Sequence, residues 1–401
     1  MIDNTMALNN IAKVNRIKNY IEGKHKVLER KDFKYKDEEF KTAKIVLQSI
    51  KPIVQFHTSY ICGNPVSLTG DKEVTAMLSS VYKKGHYNKV DYAIAKALYE
   101  YGNAYEYVYR DRGLIKSKVF DNADSYPIYE NGEYVRFVEY WTDLQTSIEH
   151  KVVYSNDKVE VYENGEMVDE YNNTTGLPIH YKSGWIDNTG YFGTGLVTDL
   201  MPIMDEIEAL LSKMSDSVTT LSMNPIGVSV ADRVDSSVNS DVTGAVLNIE
   251  SGGDFKWANA TLDYNSIKLI LDSLLNQFYT IASVPASLYG QSNIANVSEV
   301  SLKLLFNTTD NYAKMMSLEL LEGMYKRLEY ISKLMGVDVS SVDISFNYNR
   351  PVSNSEMVDD LEKLYGMGCI SKESVIRVSP YTNDVDYEIQ KCDDENDKQV
   401  S

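Results

Sequence analysis

The 401-residue sequence predicts an α+β protein. Three observations carry that prediction. Apolar residues recur at helical spacing over roughly the first hundred residues, the period changes to alternation between Asn103 and Tyr171, and long helical rods return after Asp199.

Taken in order, residues 9–61 read as helical, first through Ile11, Val14, Ile17 and Ile21. A second helix is expected from about Asp37 to Tyr60 through Ala43, Val46, Leu47 and Ile50, stopped by Gly63, Asn64 and Pro65. Two more helices are predicted at 71–84 and 88–101, the latter ended by Gly102. The stretches NAYEYVYRDRG, LIKSKVFD, YPIYENGEYVRFVEYW and EHKVVYSNDKVEVYENGEMVDEY then alternate aromatic or β-branched residues with charged ones, as half-exposed antiparallel strands do. The pentapeptide YENGE stands at 129–133 and again at 162–166. Asn-Gly between alternating runs marks a tight hairpin, because both turn positions need positive φ. Two similar hairpins account for the repetition without a true internal repeat. The glycine-rich GLPIHYKSGWIDNTGYFGTG reads as a boundary.

Asp199 is the expected N-cap of a rod with Pro202 in its first turn, running through Ile203, Ile207, Leu210, Met214 and Val218 to Ser222. A polar, strand-like stretch to Asn259 reads as a small β insert, and a second rod covers 263–283. A third helix from Ser301 to Met335 is on the order of 50 Å long. DISFNYNRP reads as a strand, SNSE at 353–356 as a capping box before another helix, and CDDENDKQV as a charged, disordered tail.

Forty basic against fifty-eight acidic residues give a net charge of −18. Residues 1–51 are basic, with twelve Lys or Arg against seven Asp or Glu, so the remainder is strongly acidic. Such a body repels a polyanion at long range and argues against ordinary tight nucleic-acid binding. Cys62, Cys369 and Cys392 are too few and too scattered for a disulfide framework or a zinc site, which fits a reducing compartment. The N-terminus has no apolar signal core and no apolar run is long enough to span a membrane, so a soluble, intracellular-type protein is expected. The thirty tyrosines suit strand surfaces and subunit contacts.

The standard constellations of enzymes are missing. Phosphate-cradling glycine motifs, the serine elbow and the HExxH helix do not occur. His25, His57, His86, His150 and His180 stand singly and read as structural. NDVDYE and CDDEND lack the remaining features of a calcium loop and read as solvated turns. The aromatic strand at 103–109 lacks the basic groove of a single-strand binder and reads as packing. No catalytic residue, metal or cofactor is therefore expected.

One stretch stands out, SVPASLYGQSNIANVSEVSLK at 283–303, between two good helices. Pro285 and Gly290 break the first helix, and no charge occurs between Pro285 and Val297. It is either an ordinary helix-helix connection or a loop that touches something uniform without gripping it.

The chain resembles the portal, or head-to-tail connector, proteins of tailed bacteriophages. The resemblance rests on YICGNPV at 60–66, YGNAYEYVYRDRG at 101–113, YPIYENGEYVRFVEYW at 126–141 and GLPIHY at 176–181. It continues through SVPASLYG and NVSEVSLKLLF within 283–306 and GCISKESVIRVSPYTNDVDYEIQ at 368–390. It implies a ring of commonly about twelve subunits around a channel. The implied parts are a mixed α/β wing at 1–190, a first stem helix at 191–222, a small β-containing clip at 223–259 and a second stem helix at 260–283. A tunnel loop at 284–300, a long wing helix and strand at 301–350 and a small crown-like helical region with an acidic tail at 351–401 complete it. Tunnel-loop residues facing DNA would be Ser287, Tyr289, Gln291, Ser292, Asn293, Asn296 and Ser298. Asn296, Val297, Ser298 and Glu299 stand where the family often has a glycine beside the serine that follows the loop. Clip contacts would be Asn224, Arg233, Asp241, Lys256 and Trp257. The implied partners are further copies of the chain, the terminase large subunit, head-completion and neck adaptors, major capsid and scaffolding proteins, and double-stranded DNA, with no membrane. The implied location is the portal vertex of the virion, with the host cytoplasm during assembly. Two rival readings remain: a ring-forming adaptor that never conducts DNA, and a metal-dependent hydrolase using scattered carboxylates, against which the missing ligand pairs count.

Overall fold

Apolar residues three and four apart need a surface to cover, and the first helix, α1 (Thr5–Ile21), finds two. Ala7 and Ile11 lie on a β-sheet beside Tyr126, Ile128, Val138 and Val153, while Ile17 and Tyr20 enter the main core. The computed structural model describes residues 5–35, 38–219, 227–230, 254–257, 263–285, 299–349, 354–379, 381–382, 385 and 387–392. They divide into two compact units, Met1–Asn293 with Phe306–Tyr348, and Ile294–Leu305 with Asn349–Ser401.

In the first unit, β1 (Phe33–Tyr35) and β2 (Glu38–Phe40) form a short antiparallel pair ahead of α2 (Ile50–Cys62) and β3 (Ser67–Thr69). Helix α3 (Lys72–Gly85) starts at Asp71, whose carboxylate accepts from the Glu73 and Val74 amides, and α4 (Tyr87–Tyr101) follows directly. Next come β4 (Asn103–Asp111), β5 (Leu114–Val119), β6 (Ser125–Glu130) and β7 (Glu133–Thr142). They continue into β8 (Glu149–Tyr154), β9 (Lys158–Glu163), β10 (Glu166–Asn172) and β11 (Ile179–Lys182). A five-stranded meander has the order β10-β9-β8-β7-β6, and a second sheet the order β11-β4-β5. Both YENGE segments are two-residue hairpins as expected, with φ of 53° and 88° at Asn131 and Gly132 and 49° and 85° at Asn164 and Gly165. Tyr105, Tyr107, Phe120, Phe137 and Tyr154 fill a separate aromatic core that joins strands of the two sheets.

Helix α5 (Leu196–Val218) leads towards the antiparallel pair β12 (Gly227–Val230) and β13 (Asp254–Trp257), and α6 (Tyr264–Ile281) packs back against α5. Helix α7 (Glu299–Met335) has 37 residues and is about 55 Å long. From Phe306 onward it belongs to the first unit, which β14 (Asp343–Ser345) closes by pairing with β3. In the second unit, α8 (Asn354–Gly366) packs with α9 (Lys372–Val378), which is capped by Ser371 accepting from the Ser374 amide.

Two expectations are corrected. Helix α5 begins behind Gly195, so Asp199 is no N-cap; it falls in the first turn, where a carboxylate suits the positive helix end. The larger departure is at 38–49, where no helix forms. Residues 41–48 instead lie along α5 as a strap, and the amides of Ala43, Ile45 and Leu47 donate to Asp216 Oδ1 (2.7 Å), Ser212 Oγ (3.0 Å) and Glu208 Oε1 (2.7 Å). The acceptors sit one helical turn apart, about 6 Å, close to the roughly 6.7 Å spanned by two extended residues. Helix-like spacing in the sequence was outweighed because α5 satisfies every second amide without a helix. Arg30 Nη2 on Asp216 Oδ2 (2.7 Å) and His25 Nδ1 on Glu208 Oε1 (2.6 Å) reinforce the same two acceptors.

Candidate functional site

The proposed loop hangs from the end of α6, and the structure describes that attachment. Phe278, Ala282 and Val284 are buried, which anchors the last turn of the rod in the core. The carbonyl of Ala282 accepts from His57 Nε2 at 2.6 Å, and the carbonyl of Ser283 accepts from Thr309 Oγ1 at 2.7 Å. These would otherwise be orphan carbonyls of a helix end, so α2 and α7 finish the helix in place of a cap of its own. His57 is itself enclosed, stacked on Tyr99 and edge-on to Tyr312. Burial pushes its pKa down to about 4, so the ring stays neutral and keeps an N–H for Ala282. On α7, Phe306 stacks on Tyr60 with ring centroids 6.0 Å apart, and Tyr60 donates to Asp310.

Ser287, Tyr289, Gln291, Ser292, Asn293, Asn296 and Ser298 lie outside the described residues, as do Asn224, Arg233 and Asp241. Lys256 and Trp257 are on β13, opposite Val228 and Gly227, with side chains outside the described part. The structure therefore supplies the framework of the two predicted contact regions.

That framework is held by a buried ionic centre that sequence reasoning missed. Arg327 of α7 is 0% exposed, and its Nε lies 2.8 and 3.0 Å from the two oxygens of Glu106 on β4. Its Nη1 donates to Asp91 of α4 at 2.5 Å, and Tyr181 of β11 donates to Glu106 at 2.5 Å. Burial lifts the Asp91 carboxyl above the ordinary carboxylate range, and the guanidinium opposes that rise. Gly323 makes room, since a Cβ there would stand 2.1 Å from the Tyr181 ring. A glycine inside a long predicted helix was the one available signal. The two rods also differ. Eight residues of α5 are buried, whereas α6 buries only Phe278 and leaves Leu269 72% and Ile270 51% exposed. Both stripes looked uncovered in the sequence, yet α5 is covered within the chain.

Among the described residues no cluster of His, Cys, Asp and Glu could hold a metal ion, and no helix is long and apolar enough to cross a membrane. A comparison with curated proteins finds no match. Among solved structures, the chain is similar to one in the neck of an empty GTA particle computed with C6 symmetry. The two are 11% identical with a TM-score of 0.50, over 85% of this chain and 88% of that one. It is also similar to a chain in the virion of a native gene transfer agent particle, at 13% identity and a TM-score of 0.48, over 82% and 87% of the two chains. At such identity the first likeness speaks for the fold. Membership rests on a family model described as "Phage portal protein, SPP1 Gp6-like", which matches residues 6–401. With nearly the whole chain matched, the protein belongs to the SPP1 Gp6-like phage portal proteins, as a structural connector of the phage particle and not an enzyme.

Proposed function

We propose that copies of this chain form a closed ring at a capsid vertex, a channel through which double-stranded DNA is packaged and later ejected. The observation that carries the ring is the uncovered apolar side of α6, with Tyr264, Leu269 and Ile270 exposed on a rod that buries one residue. Removing a leucine or isoleucine of this kind from water contributes about 1.5–3 kcal/mol, repeated at every interface. A patch on one rod meeting a different surface of the next copy is a head-to-tail contact, which closes into a ring when the rotation allows.

In this reading residues 286–298 form the loop facing DNA. Support comes from the charge-free sequence between Pro285 and Val297 and from the firm attachment of Ala282 and Ser283. A fixed lysine there would pair with passing phosphates and act as a brake. Residues 223–259 are the proposed contact for the terminase large subunit and then for neck and tail adaptors, since exposed strand edges accept partner strands. The ring would assemble in the host cytoplasm and remain in the virion, beside capsid and scaffolding proteins.

Negative-stain imaging with light scattering tests the ring: a particle with a central hole is expected, and a monodisperse monomer across micromolar concentrations rejects it. Gln291→Lys with Ser292→Lys and Asn293→Lys then tests the loop. Intact rings with an altered length of packaged DNA are expected, whereas loss of rings marks a buried inter-helix turn.

A further inference from the structure

The run KKGHYNK at 83–89 places Lys83, Lys84, His86 and Lys89 together on a chain whose net charge is −18. All four side chains are exposed, and none has a carboxylate partner among the described residues. Lys18 pairs with Asp121, Lys116 with Asp111 and Lys118 with Glu139, whereas Lys51, like this cluster, has no carboxylate partner among the described residues; what sets the cluster apart is that Lys83, His86 and Lys89 gather in one concavity. Lys83, His86 and Lys89 line one pocket of about 430 Å³ with the amide of Asn88, against an apolar wall that includes Val66 and Leu68. No carboxylate lines it.

Local helix physics accounts for half of this cluster. Lys83 and Lys84 stand in the last turn of α3, where cations offset the negative helix end. His86 and Lys89 do the opposite. They stand at the start of α4, the positive end, where Asp or Glu would be favoured; that first turn contains no acidic residue, and His86 provides no side-chain cap. The Lys89 cation, placed against the helix field, beside the Lys83 cation and inside a concavity, calls for an anion between them.

We propose that this pocket binds a phosphate group, held by Lys83 and Lys89 with Asn88 as a neutral donor. Phosphate oxygens accept several donors at once and suit point-like ammonium groups. The phosphate comes either from a duplex backbone or from a free phosphate, and both offer the same oxygens to the site. The site is on the α3–α4 junction and does not depend on the channel reading.

The test uses the full-length protein, a short fluorescent duplex and inorganic phosphate, at low and moderate salt. Lys83→Gln with Lys89→Gln is compared with Lys51→Gln with Lys72→Gln, which removes the same charge elsewhere; equal melting temperatures check folding. For a duplex-borne phosphate, the pocket variant loses about tenfold in duplex affinity at low salt, and its slope against log salt falls by roughly 1, at ~0.9 per neutralised phosphate. The control variant keeps both. If duplex binding is untouched but inorganic phosphate binding is lost only in the pocket variant, the site stands and the source is free phosphate. The proposal is overturned if the two variants behave alike toward both probes, or if polyglutamate binds this pocket while neither phosphate probe does.

Discussion

Helices α7 and α6 are both long rods, and they resolve the same difficulty in opposite ways. Helix α7 carries a charge into the interior and finds its partners within the chain, Glu106 from β4 and Asp91 from α4, with Tyr181 closing the far side. Helix α6 rests Leu271, Leu274 and Leu275 against the core but carries Tyr264, Leu269 and Ile270 outward, exposed among the described residues. The difference teaches which part of the molecule is finished alone. The region around Arg327 has its own core and its own counter-charges, while the outer side of α6 stays exposed and is the side proposed to meet a neighbouring copy.

The comparison breaks first at Arg327. Arg327→Met leaves two carboxylates buried without a cation, and we expect a loss of about 3–5 kcal/mol of unfolding free energy in denaturant titrations. A loss below about 1 kcal/mol would mean that the centre is solvated and this region is not self-sufficient. His57, which joins the two regions by holding the end of α6, gives the next effect. Its pKa falls from 6.5 to about 4 in the folded chain, so between those values the unfolded chain binds a proton that the folded chain refuses. The contribution is therefore intact above about pH 6.5 and is lost as pH falls towards 4. His57→Gln should flatten the wild-type curve by about 3 kcal/mol over that window, read as unfolding free energy against pH; parallel curves would remove His57 as the cause. The smallest effect on folding is expected at α6. Leu269→Asp with Ile270→Asp should change the stability of the isolated chain by no more than about 0.5 kcal/mol, yet abolish rings in sedimentation. If instead the chain unfolds, α6 is covered at home and the contrast with α7 disappears.

Much of this organisation is legible in the sequence because it is local. Asn-Gly turns, alternating strands and the extents of α3, α4, α6 and α7 follow from neighbours a few residues apart. The strap at 41–48 does not, because the acceptors of its amides lie 161 to 173 residues away. Arg327 is equally hidden: beside Lys326 on an amphipathic helix it reads as surface, and only the distant Glu106 and Asp91 give it a reason to be inside. Lys83, His86 and Lys89 are visible one by one, but the junction that gathers them is a tertiary fact.

The strap has a consequence for how its stretch of chain can change. Ala43, Ile45 and Leu47 offer only their amides, so the chemistry of the contact is written in Glu208, Ser212 and Asp216, far downstream. Substitutions at the three donor positions, proline excepted, leave those amides where they are. One residue inserted or removed between Ala43 and Leu47 would throw the series out of step, because an amide facing α5 would then face away. Two scales of different pitch have to coincide three times. Length, more than composition, is what this segment has to keep.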